Sequence, residues 1–263
     1  VGEKKQLHQT AIDMYHFCGE QFRRRYIEGE KIPPAVAMIV GTGTDESVNQ
    51  NMRHKMENGK LMELAQVKAV ARDALGNAWS KGVWLSDDEA KIGPSKVKGQ
   101  AIDKTVRLAT VHATQKAEKI NPTHVQRKWT VELKGYPVDL AGTIDVQEGG
   151  KWVRDTKTSG KTPNQNMADK SMQLTTYAMA VKVLDGKEPE GVALDYLIDT
   201  KEPKVVTLES KRNNDDFRIL LRRIEGMIQA IDKGVFLPAS PRDPMCSEKY
   251  CGFHSSCSYV KNK

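Results

Sequence analysis

Apolar positions change period twice along the chain. From Thr10 to about Glu28, Ile12, Tyr15, Phe17, Phe22, Tyr26 and Ile27 recur at helical spacing, with Thr10 as a cap and Gly29 as a stop, which places Cys18 on a helix. A Pro33-Pro34 break follows. Helical stretches are then expected over about 37–58, 61–79 and 87–119, with a loop near 81–86 and a weak point at Gly93-Pro94. At Thr123 the pattern becomes alternation, with Val125, Arg127, Trp129, Val131 and Leu133 on one side of a strand closed by Gly135 and Pro137. Two short apolar runs flank Gly149-Gly150 between Leu140 and Lys157 and predict a hairpin. Helical spacing returns over 166–183, strands are expected over 192–199 and 205–208, and 215–233 reads as an amphipathic helix.

This order of elements gives a mixed α+β fold, with a helical N-terminal elaboration on a mixed-sheet core. The expected organisation is a single domain over 1–263: a mostly helical region 1–120, a core 121–236 and a cysteine-rich segment 237–263. The longest apolar run, Ala35 to Val40, is far short of a membrane span, and the first residues lack a signal-peptide core, so the expected location is cytoplasmic. A net charge of +7 favours an acidic partner such as nucleic acid without requiring one.

The chemistry concentrates in the hairpin. Asp155 and Lys157 are two apart, so on a strand they share a face, where a carboxylate can bind a divalent cation and an ammonium can approach the same phosphate. Oxygen ligands suit Mg2+ or Mn2+, and Asp145 on the neighbouring strand would be a second ligand. The alternative is a pair of solvated strand-end carboxylates with a lysine counter-charge. Register matters: a two-residue turn at Gly149-Gly150 would put Asp145 and Asp155 on opposite faces. A loop one residue longer, or a bulge with a left-handed glycine, would set them opposite each other. Such an irregularity is expected here.

The four cysteines, Cys18, Cys246, Cys251 and Cys257, read as metal ligands or free thiols, and spacing does not choose between an iron-sulfur and a zinc site. His254 among them reads as a surface histidine. Arg23, Arg24 and Arg25, and Lys211, Arg212, Arg218, Arg222 and Arg223, either contact phosphates or form solvated helix faces.

Taken together, GTGTDESV, GTID at 142–145, DTK at 155–157, Gln173 to Tyr177 and the terminal cysteines resemble the PD-(D/E)XK nuclease superfamily, in particular RecB-type exonucleases that carry an iron-sulfur cluster, among them CRISPR-associated and phage versions. The resemblance implies a restriction-endonuclease-like mixed sheet flanked by helices. It implies Asp145 and Asp155 as metal ligands, the Thr156 carbonyl as a further ligand and Lys157 as the catalytic lysine. Gln173 and Tyr177 match a Q-x-x-x-Y motif beside the active site. Asp45 stands where the family usually has a histidine ligand. The resemblance also groups Cys18 with the three C-terminal cysteines around a 4Fe-4S cluster in preference to zinc, as a clasp joining the chain's two ends. The expected activity is a metal-dependent exonuclease on single-stranded or end-exposed DNA, independent of sequence, in recombination, repair or CRISPR adaptation, with a possible partner protein from those pathways. The rival is a catalytically silent DNA-binding or partner module that kept the fold; the missing histidine at position 45 is its supporting feature.

Overall fold

A computed structural model of the chain describes residues 4–260. It begins with a short strand, β1 (Lys5–His8), which leads directly into α1 (Gln9–Phe17). Cys18 is extended, so the expected first helix is broken there. The Cys18 sulfur caps α2 (Gly19–Phe22), accepting the Gln21 N–H at 3.4 Å, and a π-helical turn, Arg23–Ile27, completes the segment. Next come α3 (Val36–Asn58), closed by left-handed Gly59, then α4 (Leu64–Ser80) and α5 (Asp87–Ile92), both opened by capping boxes. The predicted weak point at Gly93-Pro94 is the start of α6 (Pro94–Gln115), where Pro94 fits because a first-turn N–H has no intrahelical partner.

Six strands form one mixed sheet. After β1 they are β2 (His124–Val131), β3 (Val138–Glu148), β4 (Trp152–Ser159), β5 (Gly191–Ile198) and β6 (Lys204–Ser210). The predicted helix over 166–183 is two helices, α7 (Asn166–Asp169) and α8 (Met172–Asp185), because Ser171 adopts an extended conformation and caps the Leu174 N–H. They cross from β4 to its parallel neighbour β5, which is buried along its whole length. The last helix, α9 (Asn214–Asp232), is capped by Asn213. Beyond it the chain is irregular apart from a 3-10 turn at His254–Ser256.

Helices cover both faces of the sheet. Leu174, Tyr177, Ala178, Phe217 and Leu220 of α8 and α9, with Ile12 of α1, pack on Leu140, Val153 and Leu194. On the other face Ile39, Val40, Leu75 and Leu108 of α3, α4 and α6 pack on Val146 and Leu197. Burial of these side chains supplies about 1.5–3 kcal/mol each before conformational entropy is counted. The β2 edge departs from expectation. Val125 packs with the α3–α6 side whereas Trp129 and Val131 pack with the α8–α9 side, so the alternation does not hold through residue 126.

The placement of β3 decides where a site can form. β2 runs antiparallel along one edge of β3 from 140 to 147, so the other edge carries both of its remaining partners. β1 pairs parallel at 138–141 and β4 antiparallel at 146–148. Residues 142–145 face an open fork between them.

On the α6 side of the sheet, a buried polar cluster joins the strands. Arg154 lies 3.3 Å from Asp195 and is paired with Glu148, Lys116 lies 3.1 Å from Asp195, and Thr207 donates to Asp195 at 2.5 Å. His112 is buried beside this cluster and its Nδ1 has no hydrogen-bond partner. Burial pushes the His112 imidazole down to about 4, against the pull of Asp195. An unfolded chain takes up this proton near 6.5, so stability is lost as pH falls through the window from about 6.5 to about 4. A His112→Leu variant lacks that loss. Its melting temperature relative to wild type should therefore rise as pH is lowered through the window, and a constant difference would show that His112 is not held neutral.

Candidate active site

The fork in β3 and the long helix α3 meet at one cleft. Gly43 lets α3 approach closely: a Cβ there would stand 3.0–3.1 Å from Thr105 of α6 and Leu75 of α4. Two residues on, Asp45 faces the cleft together with Gly41, Thr42 and Thr44. The Asp45 Oδ1 atom is buried without a hydrogen-bond partner. Such an oxygen is an acceptor with nothing to accept, which an oxygen-seeking cation would satisfy.

The hairpin supplies the opposite wall. Its loop is three residues long, 149–151, with Gly149 at φ +59°, and the ladder pairs Val146 with Arg154. Carried one residue further, that register sets Asp145 across from Asp155, which is the irregularity the two aspartates require to share a face. Past Arg154 the strands diverge, and the Thr156 N–H donates to Asp145 Oδ2 at 3.4 Å instead of to a β3 carbonyl. Asp155 is almost completely buried, whereas the Lys157 side chain keeps 39 % of its surface exposed. Lys157 Nζ stands 2.7 Å from Asp155 Oδ2, an ion-pair contact whose angle is too poor to satisfy that oxygen as a hydrogen bond.

Electrostatics follow from this crowding. Burial, and next the charge of Asp155, pushes the Asp45 carboxyl up to about 7. Burial and the charges of Asp155 and Asp45 also raise Asp145, and burial raises Asp155 against the opposing pull of Lys157. For Lys157, burial works against the charged form, but the carboxylates outweigh it and hold the ammonium above its ordinary range.

Helix α8 closes the cleft from the other side. Gln173 and Tyr177 lie one turn apart on one face, and the Gln173 amide donates to the Tyr177 hydroxyl at 2.8 Å. Burial and the neighbouring aspartates keep that phenol protonated. Asp45, Asp145, Asp155, Thr156, Lys157, Gln173 and Tyr177 therefore all line one cleft, together with Thr10 and Thr158. Glu46, next to Asp45 in the chain, is exposed and lies outside it. Sequence reasoning missed Gln126, whose side-chain amide donates to Asp145 Oδ1 at 3.1 Å. Nothing in the alternating pattern around it marks that role.

The four cysteines line a second cavity with Gln21, Arg24, Phe253 and His254. None is in a disulfide, and burial raises the thiols of Cys246 and Cys251. The chain ends are drawn together around them. Gly19 donates to the Leu237 carbonyl at 2.7 Å, an approach that leaves no room for a Cβ, and the Arg24 guanidinium lies 4.5 Å over the Phe253 ring. His254 is not a surface residue as expected: it is partly buried in this cavity and its Nδ1 has no hydrogen-bond partner. Among the described residues, no group of three or more His, Cys, Asp or Glu side chains is placed so that it could hold a metal ion.

Several candidate phosphate contacts have structural partners instead. Arg23 pairs with Glu20 and Glu28, Arg24 with Glu30 and Ser256, and Arg218 with Asp215, while Arg212 donates to the Ala168 and Ser171 carbonyls between α7 and α8. Lys211, Arg222 and Arg223 remain exposed. No described helix is long and apolar enough to cross a membrane.

A sequence model of the PD-(D/E)XK nuclease superfamily matches residues 6–258. No curated protein matches the chain at a significant level. Among solved structures, the chain is similar to a protein from Eubacterium rectale described as a "putative exonuclease", with TM-score 0.60 and 12 % identity over 98 % of this chain and 90 % of that one. A second structure, SSO0001, covers 98 % of this chain and 88 % of its own at 16 % identity and TM-score 0.44.

The raised Asp45 carboxyl has a measurable consequence. The folded chain holds this proton up to about pH 7 whereas an unfolded chain releases it near 3.8, so the metal-free protein loses stability as pH rises through that window. Asp45→Asn removes the loss. The EDTA-treated variant should melt above wild type at pH 8, with the difference shrinking towards pH 4; a difference that does not change with pH would refute the crowding.

Proposed function

The chain belongs to the PD-(D/E)XK nuclease superfamily, and on that premise we propose that it is a metal-dependent deoxyribonuclease acting from DNA ends or on single strands. One observation carries the reading: carboxylates from α3, β3 and β4 converge with a lysine on one open cleft, and two of their buried oxygens lack hydrogen bonds. Three carboxylates against one ammonium is a donor set that fits one or two hard divalent cations. Asp45, Asp145 and Asp155 would hold Mg2+ or Mn2+, with the Thr156 carbonyl as a further oxygen. When bound there, the cation supplies Lewis-acid polarisation of the phosphoryl oxygen and a more acidic water.

The protein's own groups divide the remaining work. Lys157 stays protonated among the carboxylates, so its ammonium is available to offset the charge that develops on the phosphoryl oxygens during in-line attack. Its partly exposed side chain lets it reach a substrate while Asp155 beneath it stays buried. Gln173 fixes the Tyr177 hydroxyl, and the pair presents polar atoms to the nucleotide entering beside Asp155. Action without base preference is part of this proposal, and the description of the Eubacterium rectale protein as a "putative exonuclease" agrees with action from ends.

The cysteine cavity is read as the site of a 4Fe-4S cluster, supported by four half-buried thiols around one cavity at the junction of the two chain ends. The cluster would act as a clasp. Anaerobically purified protein should show broad absorption in the blue visible range that Cys18→Ser abolishes together with a fall in melting temperature. Colourless protein with stoichiometric zinc would replace the cluster by a zinc site.

End-labelled single- and double-stranded DNA with Mn2+ or Mg2+ tests the main reading. Wild type should release short products from ends and be inactive in EDTA. Lys157→Ala should lower kcat by about 10²–10³-fold, the range for loss of one electrostatic group at a reacting centre, and Asp155→Ala should abolish turnover. Absence of digestion, or digestion that survives both changes, would leave the catalytically silent DNA-binding module standing.

A further inference from the structure

Gln126 is the one non-glycine residue among the described residues with a left-handed backbone, at φ +53°, and it lies in the middle of β2. A side chain with a Cβ avoids this region unless its surroundings impose it, and strand interiors offer no turn to impose it. The ladder between β2 and β3 shows what the conformation does. Val125 pairs with Val146 and Arg127 with Ile144, so register is the same on both sides, yet the intervening Gln126 and Asp145 form no ladder pair. Both strands change face at this point. Ile144 belongs to the α8–α9 core and Val146, two residues on, to the α3–α6 core. The kink therefore turns Asp145 out of the pleat and into the fork between β1 and β4.

Gln126 also holds the carboxylate it exposes. Its Nε2 donates to Asp145 Oδ1 at 3.1 Å, while the Thr156 N–H donates to Oδ2 at 3.4 Å, so each oxygen is oriented by its own donor. Neither oxygen is used up, because a carboxylate accepts about four hydrogen bonds or ligand contacts. We propose that Gln126 is a positioning residue that sets the orientation of the Asp145 carboxylate for a divalent cation, through its strained backbone and its side-chain amide together. The proposal rests on the reading of the cleft as a cation-dependent nuclease site.

Gln126→Gly separates this role from a purely structural one, because glycine adopts φ +53° without strain, so the kink of the strand is kept while the side chain and its amide are removed. The variant should melt at or above the wild-type temperature. Its affinity for Mn2+, measured by calorimetry or by the Mn2+ electron paramagnetic resonance signal in the absence of DNA, should fall by about 10–100-fold, the range for loss of a group that orients a metal ligand. At saturating Mn2+, kcat on end-labelled DNA should fall while KM for DNA stays within about twofold, since Gln126 does not line the cleft that receives substrate. Unchanged Mn2+ affinity in a folded Gln126→Gly protein, or no measurable Mn2+ binding by either protein, overturns the proposal whatever the activity shows. Wild type that binds Mn2+ but digests no DNA would sink the nuclease reading alone, and the affinity comparison would still decide the role of Gln126.

Discussion

Asp45, Asp145 and Asp155 repel one another across a half-buried cleft, and burial removes most of the water that would screen them. Each carboxyl is consequently harder to ionise than it would be in solution, Asp45 up to about 7. A chain left to relax would swing these side chains apart. It does not, because each is carried by a different element and those elements are held by packing that has nothing to do with charge. Asp45 rides on α3, which is pinned against α4 and α6 where Gly43 permits close approach. Asp155 leaves a strand paired on its far side with fully buried β5. Asp145 sits where β3 has no neighbour on one edge, so its carboxylate takes the place of a strand.

That missing neighbour explains why β1 matters despite its four residues. By pairing with β3 only as far as Ala141, it covers the start of the edge and stops short of the fork, and α1 begins immediately afterwards. The Gln9 side-chain amide oxygen, at the head of α1, then accepts the Thr176 hydroxyl of α8 at 2.5 Å, which joins the start of α1 to the helix carrying Gln173 and Tyr177. The far end of the same segment runs into Cys18 and the cysteine cavity, so residues 5–18 link the fork, the Gln173–Tyr177 helix and that cavity.

Much of this was legible from local pattern, and the rest was not for identifiable reasons. The helices and the succession of strands from β2 onward follow from periodicity, which is local; the three-residue loop that brings Asp145 across from Asp155 was expected only because a shared site required it, since Gly149-Gly150 alone reads as a two-residue turn. β1 was missed because four residues carry almost no periodicity and their partner lies some 130 positions away in the chain. The break at Cys18 went unseen because Ile12 to Ile27 keeps an acceptable helical phase across it. Gln126 was invisible for a deeper reason: Val125, Arg127, Trp129 and Val131 alternate as a flat strand should, and the reversal of face between Val125 and Trp129 arises from tertiary packing on two cores rather than from any residue type. The fate of the arginines was equally hidden, since charge runs do not reveal that Glu20, Glu30 and the α7–α8 carbonyls occupy them.

Asp155 and Asp195 show what the fold does with charge when it is not reserving it. They sit on adjacent strands, with Asp195 paired in register to Thr156, and both are almost wholly buried. On the α6 face Asp195 is met by Arg154, Lys116 and Thr207, and removing any one of those donors would leave a buried charge short of partners, a loss of about 3–5 kcal/mol when an ion pair is broken. On the cleft face Asp155 meets one lysine at an angle too poor to satisfy its oxygen, beside two more carboxylates. The same sheet thus carries one saturated aspartate and one unsaturated aspartate on adjacent strands, one register position apart. Stability alone would favour saturating both, so the deficit on the cleft face is the feature on which the proposed cation site rests, in contrast to the ion pairs that hold the strands together on the other face.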